Sequence, residues 1–108
     1  MKLVLFGGLI ALCVGAPALA DEPIGFRTGA ALAAKYKCDA CHVAYDPGKG
    51  PSWHAIAKKY ADDPQAQGEL EANVLNGISG VWGPVPMAPI EVPERDLKPL
   101  IEWVLSLR

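Results

Sequence analysis

Residues 38–42 read Cys38-Asp39-Ala40-Cys41-His42, and this C-x-x-C-H run is the most informative stretch of the chain. In a helical turn, positions i, i+3 and i+4 share one face, so both thiols and the imidazole can meet one flat ring from the same side. Such a run is the attachment signature of a c-type haem. We therefore predict one haem c, covalently bound through Cys38 and Cys41, with His42 as the proximal iron ligand.

Other sites also use a C-x-x-C pair: thioredoxin-like redox dithiols, halves of zinc sites and local disulfides. A structural zinc site needs four ligands, and the chain has no second pair of this kind. A redox dithiol and a disulfide between Cys38 and Cys41 remain as alternatives. The histidine that directly follows the pair favours the haem.

The first twenty residues have the pattern of a secretory leader. Lys2 precedes an apolar stretch over residues 3–14, and residues 18–20, Ala-Leu-Ala, match an A-x-A cleavage site. The apolar stretch is shorter than the roughly 20 residues that span a bilayer. We predict a signal peptide over 1–20 that is cleaved, and a mature domain over 21–108 that is located in the periplasm without a membrane anchor.

Cleavage would remove Met1 and Cys13, so that Met87 becomes the only thioether of the mature chain. Residues 80–89 around it read Gly-Val-Trp-Gly-Pro-Val-Pro-Met-Ala-Pro, and their prolines fix φ and remove amide donors. A stiff loop of this kind suits a weak ligand that the protein must hold in place. We predict Met87 as the second axial ligand. The alternatives are a core role for Met87 and ligation by His54 instead.

Hydrophobic periodicity predicts four helices and no strand. The predicted bounds, in chain order, are 30–37, 52–60, 65–78 and about 94–107. Thr28 and Ser52 are the expected N-caps, and Gly77 the expected stop of the third helix. Pro99 lies within the last helix, which therefore either starts late or bends.

The inward-facing residues follow from the same helical spacing. In chain order, they are expected to be Ala31, Ala34, Tyr36, Trp53, Ile56, Ala57, Tyr60, Leu70, Val74, Leu75, Leu97, Leu100, Ile101, Val104 and Leu105. A chain this short buries only a modest hydrophobic core, and it commonly needs an additional stabilising element such as a disulfide, a metal or a bound cofactor. We predict a small, single-domain, all-α fold of about four helices wrapped around one covalently attached haem.

From about residue 32 to its end, the sequence resembles the bacterial class I cytochromes c, and within them the short cytochrome c-551 type. The matching residues are the run at Cys38, Gly50-Pro51, Asn76-Gly77, residues 80–87 and the ending Trp103-Val104-Leu105-Ser106. The resemblance implies the class I cytochrome c fold, with His42 and Met87 as the axial ligands.

The resemblance also implies two supporting contacts. The carbonyl of Pro51 would accept the second imidazole N–H of His42, and Trp82 would form a hydrogen bond with a haem propionate. Two positions depart from the family pattern. Ile90 stands where family members commonly have an asparagine that forms a hydrogen bond with the sulfur of the ligand Met. Asn73 stands where they often have a basic residue near a haem propionate. We therefore expect the charge of that propionate to be less neutralised in this chain.

An iron with two protein ligands offers no position for peroxide, nitrite or oxygen, so we predict an electron carrier and not an enzyme. The carrier would take one electron from a quinol-oxidising complex and pass it to a terminal reductase or oxidase. Two alternatives stay open. One is a haem-bearing subunit of a larger periplasmic oxidoreductase, and the other is a haem peroxidase or ligand sensor whose Met87 dissociates.

The formal net charge of −2 argues against a nucleic-acid partner. Residues 27–60 hold six basic and two acidic side chains, whereas residues 61–108 hold three and eight. Lys35, Lys37 and Lys49 flank the haem-attachment run. We expect a monomer that meets redox proteins, not small-molecule substrates, through a small apolar patch ringed by these lysines, in a weak and salt-sensitive encounter.

Overall fold

The computed structural model describes residues 3–4, 7–8, 10–15 and 24–108, with the backbone alone for residues 24–27. The predicted cleavage site at residues 18–20 lies outside the described residues. Within the described ranges, no helix combines the length and apolar character needed to cross a membrane.

Four α-helices and one short 3₁₀ helix make up the described fold. They are α1 (Ile24–Lys35), the 3₁₀ helix (Cys38–Ala40), α2 (Trp53–Lys59), α3 (Ala66–Asn76) and α4 (Glu94–Ser106). In the same part of the chain, β pairing is limited to one isolated antiparallel bridge between Ile78 and Met87. The predicted all-α class is therefore confirmed. However, α1 begins at Ile24 and not at Ala30, so Thr28 lies within the helix and is not its N-cap.

Local sequence signals account for the ends of two helices. Ser52 caps α2, because its Oγ accepts a hydrogen bond from the backbone N–H of Ala55 at 3.1 Å. Gly77 ends α3 with a φ of 74°, which a glycine adopts without the strain that a Cβ would bring. Helix α4 starts at Glu94, as predicted, and contains Pro99, so the alternative of a late start is excluded.

Helix α4 is the centre of the core, since α1, α2 and α3 all pack against it. Its buried residues are Leu97, Leu100, Ile101, Trp103 and Val104. Full burial of an aliphatic or aromatic side chain is worth about 1.5–3 kcal/mol, so this stripe makes a large contribution to the stability of the fold.

Three predicted core residues are exposed, so their assignment was wrong: Ala31 and Ala34 in α1 and Leu75 in α3. In α1, Leu32 and Ala33 are buried, while Ala31 and Ala34 are exposed, because the face that meets α4 starts at Gly29 and continues at i+3 and i+4.

In α3, Leu70 and Val74 are buried, whereas Leu75 is 45% exposed. Leu75 follows Val74 directly, and one residue turns an α-helix by about 100°, which carries Leu75 off the buried face.

The contact between α1 and α4 is close at one end and polar at the other. A Cβ on Gly29 would overlap the side chain of Trp103. Just beyond the end of α1, the hydroxyl of Tyr36 donates to Asp96 Oδ2 at 2.5 Å, and Lys35 Nζ lies 3.2 Å from the same oxygen. These two hydrogen bonds, that of Tyr36 first, hold the pKa of the Asp96 carboxyl below its usual value.

The close approach at Gly29 generates a stability prediction. We expect Gly29→Ala to lower the free energy of unfolding by about 1–3 kcal/mol, because the new methyl group would force α1 away from Trp103. Gly68→Ala is the matched control, since Gly68 is exposed on α3 with open space around it. The control should be neutral or raise stability by up to about 1 kcal/mol. Denaturant unfolding of both variants measures the difference, and equal effects would contradict the packing argument.

Candidate haem site

A cavity of about 370 Å³ lies between the 38–42 run, α3, α4 and the loop that carries Met87. Its volume falls in the range of roughly 300–1,000 Å³ that is typical of cofactor sites. The cavity brings together every site residue predicted from the sequence: Cys38, Cys41, His42, Pro51, Trp82 and Met87. His54, the alternative ligand, is not part of this lining.

The remaining wall of the cavity is mostly aliphatic. It includes Ile56 of α2, Leu70 and Val74 of α3, and Leu100 and Ile101 of α4. All five are buried members of the core, so the cavity is continuous with the core of the fold. A flat apolar group that entered it would complete that core.

The 38–42 run forms a tight turn, and its two thiols and its imidazole all line the cavity. Lys37 adopts a left-handed conformation with a φ of 58°, and the 3₁₀ turn follows. The backbone N–H groups of Cys41 and His42 both donate to the carbonyl of Cys38, at 3.1 and 2.9 Å. Cys38 is buried, and burial raises the pKa of its thiol. Cys41 is exposed.

The His42 side chain is buried, only 8% exposed, and it makes specific contacts on several sides. Its Nδ1 lies 2.7 Å from the carbonyl oxygen of Pro51. Because a carbonyl can only accept, Nδ1 must carry the proton in this contact, and in the neutral ring Nε2 is then a free base. An unprotonated Nε2 is what a metal ligand requires.

Two neighbours confine one face and one edge of the same ring. The indole of Trp53 stacks on it, with ring centroids 4.7 Å apart and an interplanar angle of 27°. Gly50 leaves room for it, since a Cβ there would lie 2.7 Å from His42 Cε1. The Gly50-Pro51 pair was recognised in the sequence as part of a family pattern, but its closeness to the imidazole depends on how the loop folds back.

That loop folds back through backbone hydrogen bonds. The N–H of Gly50 donates to the carbonyl of Cys41 at 3.0 Å, and the N–H of Trp53 donates to the carbonyl of Val43 at 2.8 Å. These bonds hold residues 50–53 against the segment that carries His42. The contacts that position the imidazole therefore come from a short stretch of chain, residues 41–53.

Met87 is held by backbone contacts on both sides. Ile78 and Met87 exchange two hydrogen bonds, at 3.1 and 2.8 Å, and the N–H of Ile90 donates to the carbonyl of Val74 at 2.8 Å. These bonds attach the proline-rich segment to the end of α3 and to Ile78, two residues beyond that helix. Met87 is half-buried and packs against the core. The backbone hydrogen bonds therefore hold the position of a residue whose side chain lines the cavity.

The rim of the cavity is partly polar and partly open. Trp82 is 41% exposed, and Lys59 Nζ lies 5.5 Å from the centroid of its ring, within cation–π range. Among the described residues that line the cavity, Lys37 and Lys49 carry a positive charge. The lining also contains the two departures from the family pattern, Asn73 and Ile90.

The residues present fit a haem. The cavity is apolar, two thiols stand on its wall, and the imidazole and the thioether that line it are both neutral donors for iron. Within the described part of the chain, no group of three or more His, Cys, Asp and Glu side chains is placed to hold a bare metal ion. The zinc alternative therefore gains no support from the structure.

No protein-family model matches the chain. Cytochrome c-551 of Stutzerimonas stutzeri is 42% identical over 91 residues, which cover 84% of this chain and 88% of that protein. Cytochrome c-552 of Nitrosomonas europaea is 41% identical over 83 residues, which cover 76% and 81% of the two proteins.

The fold shows the same relationship. The crystal structure of wild-type Nitrosomonas europaea cytochrome c552 matches with a TM-score of 0.70 and 42% identity, over 73% of this chain and 99% of that one. The predicted class I cytochrome c fold is confirmed. By sequence and by fold, the chain belongs to the cytochrome c-551/c-552 family of class I cytochromes c, electron-transfer proteins with one covalently attached haem c, which is bound here through Cys38 and Cys41.

Proposed function

We propose that this cytochrome is a periplasmic electron carrier whose iron is held between His42 and Met87. One observation carries the proposal: the His42 imidazole, with its Nδ1 engaged by Pro51, lines the same cavity as the Met87 thioether. The haem would supply the one-electron Fe(III)/Fe(II) couple. His42 and Met87 would both bind the iron, and they would leave no position on it for a substrate.

The two ligands are supported in different ways. Pro51 accepts from His42 Nδ1 and so strengthens Nε2 as a donor. Met87 is a weak donor, and the backbone pairing with Ile78 keeps it in place. Both supports hold the ligands in one geometry, which favours a small structural change between the two oxidation states. The aliphatic lining disfavours the extra positive charge of the oxidised centre and so raises the reduction potential.

We further propose that Trp82 donates its indole N–H to a haem propionate, because the ring lines the cavity and is partly open to solvent. Residues 1–20 are proposed to be a signal peptide, and residues 21–108 to act as a monomer in the periplasm. There the protein would pass electrons from a quinol-oxidising complex to a terminal reductase or oxidase. The pattern of the leader and the resemblance to cytochromes c-551 and c-552 support this placement.

Replacement of Met87 tests the ligation directly. We expect ferrous Met87→Ala to bind carbon monoxide rapidly at neutral pH, because the sixth position opens, whereas the ferrous wild type binds little. His54→Ala is the control, since His54 lies outside the cavity lining and should leave the wild-type behaviour unchanged. Carbon monoxide difference spectra measure both variants.

The opposite result would reassign the site. Carbon monoxide binding that appears in His54→Ala and not in Met87→Ala would contradict ligation by Met87. Avid binding by the unaltered protein would instead support the peroxidase or sensor alternative.

The rim of the cavity supports a docking surface for redox proteins. Val81 and Val85 line the cavity and are 49% and 63% exposed, and Lys37 and Lys49 belong to the same lining. Lys35, which was expected in this ring, places its ammonium 3.2 Å from Asp96, so part of its charge is already neutralised. We therefore propose an apolar patch flanked by Lys37 and Lys49, which meets an acidic face of the partner.

Charge reversal tests this surface. We expect Lys37→Glu and Lys49→Glu each to slow electron transfer to a purified terminal oxidase by roughly tenfold at low ionic strength, with a smaller effect at high salt. Lys58→Glu is the matched control, because Lys58 is exposed, lies outside the cavity lining and changes the net charge equally. Stopped-flow oxidation of the reduced proteins gives the rates. Equal slowing in all three variants would show that only the net charge matters.

A further inference from the structure

We infer that Trp53 is a positioning residue for the iron ligand: its indole holds the His42 imidazole in one orientation and so contributes to the reduction potential. The inference rests on the proposed ligation by His42. It concerns a residue, Trp53, that is neither a ligand nor part of the attachment run.

A hydrogen bond at one nitrogen does not by itself fix the plane of a ring. The contact between His42 Nδ1 and the Pro51 carbonyl sets the tautomer and one direction. The imidazole can still rock about that direction unless a surface meets its face. Trp53 supplies the surface, because its ring lies 4.7 Å from the imidazole centroid and is tilted from its plane by only 27°.

Trp53 is itself held on several sides, so it can act as a support. Its backbone N–H donates to the carbonyl of Val43 at 2.8 Å, at the start of the helix that Ser52 caps. Its indole meets the buried Trp103 edge to face, with centroids 5.4 Å apart and an interplanar angle of 69°. Trp103 in turn packs against Gly29 at the contact between α1 and α4. The support therefore extends from the imidazole to the helical core.

The loop backbone limits the freedom of the imidazole at one edge as well. A Cβ at Gly50 would lie 2.7 Å from His42 Cε1 and 3.1 Å from Nδ1, so the loop backbone already stands close to the ring. Gly50, Pro51 and Trp53 fall within four consecutive residues and all act on one side chain. Together, these three contacts favour one orientation of the imidazole ring.

The stack also has an electronic consequence. The face of an indole is the negative pole of its quadrupole and attracts positive charge. The imidazole of an iron ligand carries more positive charge when the iron is oxidised than when it is reduced. The Trp53 face therefore stabilises the oxidised state, and its removal should raise the reduction potential.

The experiment compares three variants of the haem-loaded protein. Trp53→Leu removes the aromatic face, and Trp53→Phe keeps a smaller one. Leu97→Ala creates a cavity in α4 at a buried residue that does not line the haem site, so it controls for lost stability alone. The measurements are the midpoint potential and the ferric electron paramagnetic resonance spectrum, whose g-values respond to the orientation of the imidazole plane.

We expect the midpoint potential to rise from wild type to Trp53→Phe to Trp53→Leu. The g-values of Trp53→Leu should shift or split into more than one species, while those of Trp53→Phe stay close to wild type. Leu97→Ala should change neither quantity. If Trp53→Leu does not accumulate with haem, the Phe variant decides, because an unchanged potential in that variant would overturn the inference.

The same spectra distinguish a failure of the proposed ligation from a failure of the role of Trp53. A wild-type ferric spectrum that is high-spin would overturn the proposed ligation and, with it, the role of Trp53. A low-spin wild type, together with Trp53 variants that match Leu97→Ala in potential and g-values, would overturn the role of Trp53 alone.

Discussion

The hydrogen bond from His42 Nδ1 to the carbonyl of Pro51 is the interaction on which the rest of the site depends. It assigns the proton to one nitrogen, and so leaves the other nitrogen free to act as a base in the cavity. It can form only because residues 50–53 fold back on the attachment run, with a glycine where a side chain would strike the imidazole. A local contact thus connects the run at Cys38 to the helical core through Trp53 and Trp103.

The two proposed ligands that line the cavity are positioned by different means. On the His42 side, rings and a carbonyl define the position of one side chain. On the Met87 side, backbone pairing with Ile78 defines the position of the loop, and the prolines limit its freedom. The difference matches the chemistry of the donors, because an imidazole is a strong, directional ligand and a thioether is a weak one that must be held in place. An electron carrier needs both supports, since a loose ligand would open the iron to other reactions.

Much of this arrangement follows from local sequence signals. The attachment run, the Ser52 cap and the Gly77 stop each act over a few residues, so they can be read without knowledge of the fold. The four helices were predicted from the helical period of the hydrophobic residues, whereas Pro51 entered the predicted site only through the resemblance to the family. The errors at Ala31, Ala34 and Leu75 arose where the direction of packing, and not the helical period, decides which face is buried.

Other features depend on tertiary contacts and could not be predicted from residue spacing. The stacking of Trp53 on His42 requires the loop to reverse direction, and the contact of Lys35 with Asp96 joins two helices that are distant in the chain. The most direct test of the account is the visible and near-infrared spectrum of the ferric wild-type protein at neutral pH. Ligation by His42 and Met87 predicts a low-spin spectrum with the weak long-wavelength band of methionine sulfur bound to Fe(III). A high-spin spectrum with water at the sixth position would contradict it.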